Sequence, residues 1–232
     1  MSQLQRQDDI VKLLREFGEM TVQQMCDALY ASPATIRRDL IELENKGMLK
    51  RSFGYARIKE DYSDPIPLTI RSKEHVPEKI KICEKAAKLI QPNELIFIDG
   101  SSTTYFLSKF LPDIPNVTVI TNNPHLNIAL SQRQVKSFST GGEMLNSSAL
   151  LIGNDAIKFI EGFHAHSCFF SSRGIKDDEI TDSSQPERDI KLAMLRHSRK
   201  HYFLCDSSKY GVQYGYRVTD LTDIDEVIDE KD

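Results

Sequence analysis

The sequence has no tryptophan, no long apolar run and no closely spaced cysteines. Its apolar stretches, such as LIFI at 95–98 and ALLI at 149–152, are too short to cross a bilayer, and the N-terminal MSQLQRQDD lacks the apolar core of a signal peptide. Scattered cysteines indicate neither a zinc site nor a disulfide framework. We therefore expect a cytoplasmic protein without metal or cofactor. Its cysteines should be small buried apolar residues, namely Cys26, Cys83, Cys168 and Cys205.

Charge is unevenly distributed along the 232 residues. Residues 1–60 contain 10 Lys/Arg and 9 Asp/Glu, a net +1, and the remainder contains 20 and 25, a net −5, which together give −4. The length and a hydrophobic content of 40% fit two globular domains. Only the first segment has a charge balance suited to approaching phosphates.

Three short helices are predicted in the first 46 residues. Residues 3–17 place Ile10, Leu14 and Phe17 at helical spacing, and Gly18 ends that helix. Thr21 begins a second helix, because it precedes Gln24 with the spacing of a capping box. The tight turn before the next helix makes this pattern typical of a helix-turn-helix.

The third helix is predicted to begin at Pro33, with Ser32 as its N-cap, and to end at residue 45 or 46 before Gly47. Its apolar stripe leaves the opposite face free to enter a DNA major groove. The following MLKRSFGYARI alternates like a β wing and is basic. The candidate DNA-binding residues are Ser32, Pro33, Thr35, Arg37, Arg38, Lys50, Arg51 and Arg57.

The string SPATIRRDLIELENKGMLKR resembles the DNA-binding helix and wing of the DeoR family of bacterial regulators, across residues 5–58. One departure is the wing tip, where Phe53, Gly54, Tyr55 and Ala56 replace the usual His-Gly-Gly-Ala-like sequence. We predict a small winged helix-turn-helix domain at 1–58 and a linker at 59–76. An α/β sensor domain follows at 77–232.

The second domain alternates apolar strands with helical stretches, the rhythm of a parallel, Rossmann-like sheet covered by helices. The predicted strands are 95–99, 117–121, 135–139, 167–171 and 201–205. Ligands of such folds bind beyond the carboxyl ends of the strands, and polar clusters occur there. The candidate effector-binding residues are Asp99, Gly100, Ser101, Ser102, Thr103, Thr104, Thr121, Asn122, Asn123, Gly141, Gly142, Arg173, Glu187, Asp206 and Lys209.

These clusters support distinct roles. The loop at 99–104 precedes a predicted helix and offers N–H groups and hydroxyls to an anion, and Lys209 offers a positive charge. Asn122 and Asn123 suit sugar hydroxyls, whereas the Gly141-Gly142 pair allows close approach of a ligand or of backbone. Arg173 is either an anion ligand or a surface residue.

The strings DGSSTT, TNN, GG and DSSK, with Arg71 and the PEK at 77–79, resemble the C-terminal sensor domain of the DeoR family. Its fold is similar to ribose-5-phosphate isomerase and glucosamine-6-phosphate deaminase. The resemblance implies a phosphorylated sugar or polyol as effector, a double-stranded operator as partner, and a dimer or tetramer of this chain. The family's common mode implies repression of a sugar catabolism operon, relieved by the effector, with activation as the alternative.

Two alternatives remain open from the residues. An isomerase-like enzyme could use a carboxylate such as Asp99, Glu187 or Asp206 to move a proton, although such an enzyme has no need of a DNA reader. A constitutive DNA-binding protein could use its α/β part for assembly alone. A phosphatase of the haloacid dehalogenase type is excluded, because Phe97 stands where its nucleophilic aspartate is required.

Overall fold

The computed structural model describes residues 3–45, 48–52, 54–58, 68–146 and 148–231, and the chain divides into two compact units, 1–64 and 65–232. Within the described ranges, no helix combines the length and hydrophobicity needed to cross a membrane. All four cysteines are buried and none forms a disulfide, as predicted. Gly47, the predicted helix stop, and Phe53 of the wing tip lie outside the described residues.

The N-terminal unit is a three-helix core with a three-stranded antiparallel sheet. Its helices are α1 (Gln3–Phe17), α2 (Val22–Leu29) and α3 (Pro33–Asn45), and its strands are β1 (Glu19–Thr21), β2 (Leu49–Ser52) and β3 (Tyr55–Ile58), in the order β1-β3-β2. Strands β2 and β3 with their turn form the wing. The predicted capping box is present, since Thr21 accepts from Gln24 N–H and the Gln24 side chain accepts from Thr21 N–H.

Helix α3 begins where the sequence predicts, with the Ser32 Oγ accepting from Thr35 N–H at 3.3 Å. Its inward stripe, Ile36, Leu40 and Leu43, is buried in the core of the unit. The spacing predicts that Phe17 shares the apolar face of Ile10 and Leu14. That prediction is wrong, because Phe17 is 59% exposed. Helix α1 ends at Phe17 and the chain turns at Gly18, whose φ is +77°, so Met20 on β1 joins the core instead.

The C-terminal unit is an α/β fold, as predicted. Its helices are α4 (Leu68–Arg71), α5 (Val76–Ala87), α6 (Pro124–Gln132), α7 (Asn154–Glu161) and α8 (Gln185–Arg196). Its strands are β4 (Leu95–Ile98), β5 (Thr118–Thr121), β6 (Lys136–Ser139), β7 (Glu143–Leu145), β8 (Leu150–Ile152), β9 (Ala165–Phe170), β10 (Gly174–Lys176), β11 (Glu179–Asp182), β12 (Ser198–Leu204), β13 (Tyr216–Asp220) and β14 (Glu226–Ile228).

Six parallel strands form the central sheet in the order β14-β12-β9-β4-β5-β6, which confirms the five predicted strands and adds β14. Both faces of the sheet are buried: Ile98 and Phe169 pack in one apolar core, whereas Phe97 and Phe170 pack in the other. A separate antiparallel sheet, β10-β11-β13, follows the carboxyl end of β9. Because every central strand runs in one direction, all the carboxyl ends meet at one edge.

Part of the expected linker has regular structure. Helix α4 occupies residues 68–71, and both Leu68 and Arg71 are buried. Burial of an apolar side chain and of a charge-bearing one ties this segment to the C-terminal unit. Residues 59–67 of the expected linker lie outside the described residues.

Candidate functional site

The loop Asp99–Thr104, called here the effector loop, follows β4 at the carboxyl edge of the sheet. The helix predicted after this loop is a six-residue 3₁₀ helix, Thr104–Lys109, and not an α-helix. The Thr104 hydroxyl donates to the Asp99 carbonyl at 2.9 Å, and Ser101 Oγ accepts from Thr104 N–H at 3.2 Å. Ser101 and Thr104 therefore hold the loop itself in shape. Gly100 makes room for Leu150, whose Cδ2 lies 2.5 Å from where a β-carbon would be.

Two lysines converge on the other two hydroxyls of the effector loop. Lys79, on α5, places its Nζ 3.2 Å from Ser102 Oγ and 2.5 Å from the Arg71 carbonyl. Lys209, after β12, places its Nζ 3.2 Å from Thr103 Oγ1 and 2.6 Å from Ser171 Oγ. Helix α5 and the segment after β12 thus present two ammonium groups to adjacent residues of the loop.

Electrostatics at this point favour an added negative charge. Burial and the nearby Lys209 ammonium lower the pKa of Lys79 to about 8. Burial raises the pKa of Asp206, but Lys209, whose Nζ lies 3.4 Å from Asp206 Oδ2, the Ser208 hydroxyl and Lys79 together outweigh that effect, and the pKa is lowered. Both ammonium groups are close to the Asp206 carboxylate, and Glu74 also acts on Lys79. We name this region the lysine end of the site.

A second charged region lies beside the first. Arg71 is buried, and its Nη2 lies 3.8 Å from Glu187 Oε2. Burial lowers the pKa of Arg71; Glu187 opposes that shift, and Arg173 adds to it, which places the two guanidinium groups in one neighbourhood. The Arg173 guanidinium also lies over the ring of Tyr214, 5.5 Å from its centroid.

Lys191, on α8, completes this region. Its Nζ lies 2.9 Å from Asp182 Oδ2 and 3.5 Å from Asp99 Oδ2. These carboxylates outweigh the effect of burial and raise the pKa of Lys191. Burial raises the pKa of Asp99, whose Oδ2 accepts no hydrogen bond from the described residues. Three cations here face three carboxylates, so this arginine end is balanced in charge and rich in both donors and acceptors.

Other predicted effector residues have local structural contacts. Asn123 caps α6 by accepting from His125 and Leu126 N–H, and Thr121 Oγ1 accepts from Asn123 N–H. Asn122 Nδ2 donates to the Leu151 carbonyl at 3.0 Å, and its Oδ1 has no hydrogen-bond partner among the described residues. That oxygen is the part of this cluster still able to accept from a ligand.

The glycine pair divides into two cases. Gly141 has a φ of +66° and open space around it, whereas Gly142 has a φ of +100° and a β-carbon there would lie 2.4 Å from the Ile152 carbonyl oxygen. The close approach at Gly142 is therefore made by the backbone of β8, one of the two options that the sequence leaves open.

The predicted DNA-binding residues occupy the surface of the N-terminal unit. Arg37, Arg38, Lys50 and Arg57 are exposed. Ser32 and Thr35 bond to each other at the start of α3, with 2.9 Å between their hydroxyl oxygens. Arg51 is exposed too, but its Nε bonds to Glu44 Oε2 at 2.6 Å, so it joins the wing to α3.

Sequence reasoning missed Lys79, Ser171, Asp182 and Lys191. Lys79 is the lysine of the PEK motif, which indicated the family but predicted no role for this side chain. Lys191 belongs to an ordinary-looking helix, and nothing in its local sequence separates it from a solvated lysine.

Solved structures give the fold. The translation initiation factor subunit eIF2B delta from Chaetomium thermophilum matches with a TM-score of 0.52 and 14% identity, covering 71% of this chain and 59% of that one. Ribose 5 phosphate isomerase A from Neisseria gonorrhoeae matches with a TM-score of 0.42 and 17% identity, covering 58% and 53%. The first likeness shows the fold alone.

Curated relatives match over almost the whole chain. The regulator GolR of Listeria innocua is 32% identical over 98% of this chain and 91% of its own length. The lactose phosphotransferase system repressor of Streptococcus mutans is 32% identical over 91% and 85%, and the L-fucose operon activator of Escherichia coli is 29% identical over 97% and 94%. These relatives are transcriptional regulators.

Each of the two units matches a protein-family model. Residues 6–61 match the DeoR-like helix-turn-helix domain, and residues 74–231 match the DeoR C-terminal sensor domain. The second match alone covers more than half of the chain, and the first names the DNA-binding element that the exposed arginines occupy. The chain belongs to the DeoR family of DNA-binding transcriptional regulators.

Proposed function

We propose that this protein represses a sugar catabolism operon and that a phosphorylated sugar or polyol, bound at the effector loop, relieves the repression. The observation that carries the proposal is the lysine end, where Lys79 bonds to Ser102, and Lys209 bonds to Thr103 and pairs with Asp206. A phosphate there would accept from two ammonium groups and two hydroxyls, and its charge would offset their repulsion.

The arginine end would bind the rest of the effector. Its cations and carboxylates are balanced, so it favours a neutral group that both donates and accepts hydrogen bonds, as sugar hydroxyls do. Asp99 Oδ2 and Asn122 Oδ1, which accept nothing from the described residues, are suited to receive hydroxyl hydrogens. A monophosphate of a polyhydroxylated compound fits this division better than a bisphosphate.

Regulation would follow from coupling between effector and operator binding. Two copies of the chain would place their α3 helices in successive major grooves about 10 base pairs apart, or a multiple of that. A coupling of about 1–3 kcal/mol would change operator affinity roughly 5- to 150-fold. Among the relatives, the lactose system protein is a repressor and the fucose protein an activator, so expression of a reporter in a deletion strain decides the sign.

The test is a binding screen with matched pairs of phosphorylated and unphosphorylated sugars. A ligand at 100 times its Kd adds about 2.7 kcal/mol of stability, which a thermal shift detects. We expect only the phosphorylated members to bind, and Ser102→Ala or Lys209→Ala to weaken them. Ser131→Ala and Lys176→Ala, which change exposed residues elsewhere, serve as controls.

Two results would overturn the proposal. One is equal stabilisation by both members of each pair, because the lysine end would then play no part. The other is steady conversion of the sugar phosphate to product that disappears in Asp99→Asn, because the site would then be that of an isomerase-like enzyme.

A further inference from the structure

A groove of about 360 Å³ separates α3 from the wing in the N-terminal unit. Arg37 and Arg51 line it, together with Gln23 at the start of α2 and Tyr55 on β3. Apolar atoms of Pro33 and Leu40 complete the wall formed by α3. Arg38 does not line this groove, although it follows Arg37 directly in the sequence.

The register of α3 explains why only one of the two arginines faces the wing. Residues seven apart lie within about 20° of one another around a helix, so Arg37 and Glu44 share a face. Glu44 faces the wing, since it accepts from Arg51 N–H at 2.9 Å and from Arg51 Nε at 2.6 Å. Arg38 is about 100° further around, on the side that continues from Ser32 and Thr35.

The walls of the groove are fixed with respect to one another. Glu44 and Arg51 join α3 to β2, and those hydrogen bonds lower the pKa of Glu44. The Val22 N–H donates to the Gly54 carbonyl at 3.1 Å, which joins the start of α2 to the turn of the wing. The exposed Arg37 side chain therefore lines a slot whose walls are already in place.

The chemistry of the slot suits one occupant. Arg37 and Arg51 contribute two positive charges to the lining; Glu44 pairs with Arg51, and Asp27 accepts from Gln23 Nε2 at 2.9 Å. Gln23, Ser52 and Tyr55 add neutral donors, whereas Val22, Pro33 and Leu40 add apolar surface. A DNA phosphodiester with its flanking deoxyribose has this combination of one negative charge, acceptor oxygens and apolar faces.

We propose that this groove clamps one DNA backbone phosphate, with Arg37 as its ion partner and Gln23 and Tyr55 as additional donors, and that Arg38 alone of the two arginines reads base edges. The inference rests on the proposed operator binding and assigns different roles to two adjacent residues of the same type. Phosphate contacts set position and affinity, whereas base contacts set sequence preference.

The experiment uses the full chain and the duplex that the wild type selects from a random pool, beside an unselected duplex of equal length. Dissociation constants are measured from 50 to 200 mM salt. For Arg37→Ala, we expect both duplexes to weaken by the same factor and the slope of log affinity against log salt to fall by about 1. For Arg38→Ala, the preference for the selected duplex should fall about 5- to 150-fold.

A second pair of variants tests the clamp without removing a charge. Tyr55→Phe deletes one donor in the groove, and Tyr30→Phe makes the same change at the turn before α3, where the side chain is 97% exposed and lies outside the groove lining. We expect several-fold weaker binding to both duplexes for the first variant and no change for the second. Because all four altered side chains are exposed, thermal melting should match the wild type.

The inference is overturned if Arg37→Ala lowers sequence preference or if the two arginine variants behave alike. It is also overturned if Tyr55→Phe and Tyr30→Phe bind both duplexes with equal affinity. Those outcomes leave operator binding itself in place. Failure of the wild type to select any duplex would instead remove the proposed function, so the two failures are distinguishable.

Discussion

The two units hold the cations of their candidate sites in opposite ways. In the N-terminal unit, Arg37 and Arg38 are exposed on a helix whose other face supplies the core. In the C-terminal unit, Lys79 and Lys191 are each 4% exposed and bonded to neighbouring elements. Exposed cations attract a large polyanion over a distance and are screened by salt. Buried cations have already lost their water, so they interact strongly with a small ligand and depend on their partners for stability.

The largest effect should come from Lys191→Met, which removes the cation between Asp99 and Asp182. Two buried carboxylates would remain without their partner, and we expect the unfolding free energy of the C-terminal unit to fall by about 3–5 kcal/mol. Urea denaturation followed by circular dichroism measures it. The control, Lys158→Met, changes an exposed lysine on α7 and should stay within about 0.5 kcal/mol of the wild type. A small loss in Lys191→Met would show that the buried network is not the weak point of this unit.

The second-largest effect should be a difference in salt dependence between operator binding and effector binding. With three exposed cations contacting phosphates per N-terminal unit, namely Arg37, Lys50 and Arg57, raising salt from 50 to 200 mM should weaken operator binding about 40-fold for each unit bound. Effector binding at buried charges should change by about threefold or less. Fluorescence anisotropy for DNA and calorimetry for the effector provide the comparison. Equal salt dependence would contradict the contrast between exposed and buried cations.

The pKa of Lys79 predicts a smaller effect of pH. Its pKa is lowered to about 8 in the free protein, and a bound phosphate would raise it again. Below pH 8 the lysine is already charged; above it, binding must take up a proton, so affinity should fall by up to about tenfold per pH unit. Calorimetry at pH 8.5 in buffers of different ionisation enthalpy measures that uptake. Lys79→Arg, which stays charged, should abolish the dependence, and persistence of the dependence in that variant would assign it to another group.

The smallest effect concerns the exposed polar contacts of the N-terminal unit. Thr21→Ala removes one half of the capping box at the start of α2 and should cost about 1 kcal/mol. Thr21→Ser keeps the hydroxyl and should keep most of that stability. Amide hydrogen exchange at Met25 and Cys26 reports on the helix. A loss as large as that of Lys191→Met would remove the difference in how the two units depend on polar side chains.

The sequence was sufficient where the signal is local. The capping box, the start of α3 and the five predicted strands of the central sheet depend on residues within a few positions, and each is present in the structure. The missed strand β14 has only three residues at the edge of the sheet, and β10 is equally short. Such segments carry too few residues for their periodicity to be read.

The candidate site was predictable only in part. The effector loop follows a strand, and topology alone places that loop at the carboxyl edge. Lys79 and Lys191 reach the same place from helices 20 or more residues away, so only the three-dimensional arrangement separates them from surface lysines. The role of Gly142 likewise depends on Ile152, ten residues further along the chain, whose carbonyl oxygen it approaches.

The burial of all four cysteines has a practical consequence for measuring distances in this protein. Burial raises the pKa of Cys83 and Cys168, and that of Cys205 to about 12, so thiolate is scarce at neutral pH. Thiol-directed labels react with accessible thiolate. A cysteine introduced on the exposed surface of α3 should therefore take a spin or fluorescent label selectively in the natural background, with no native cysteine removed.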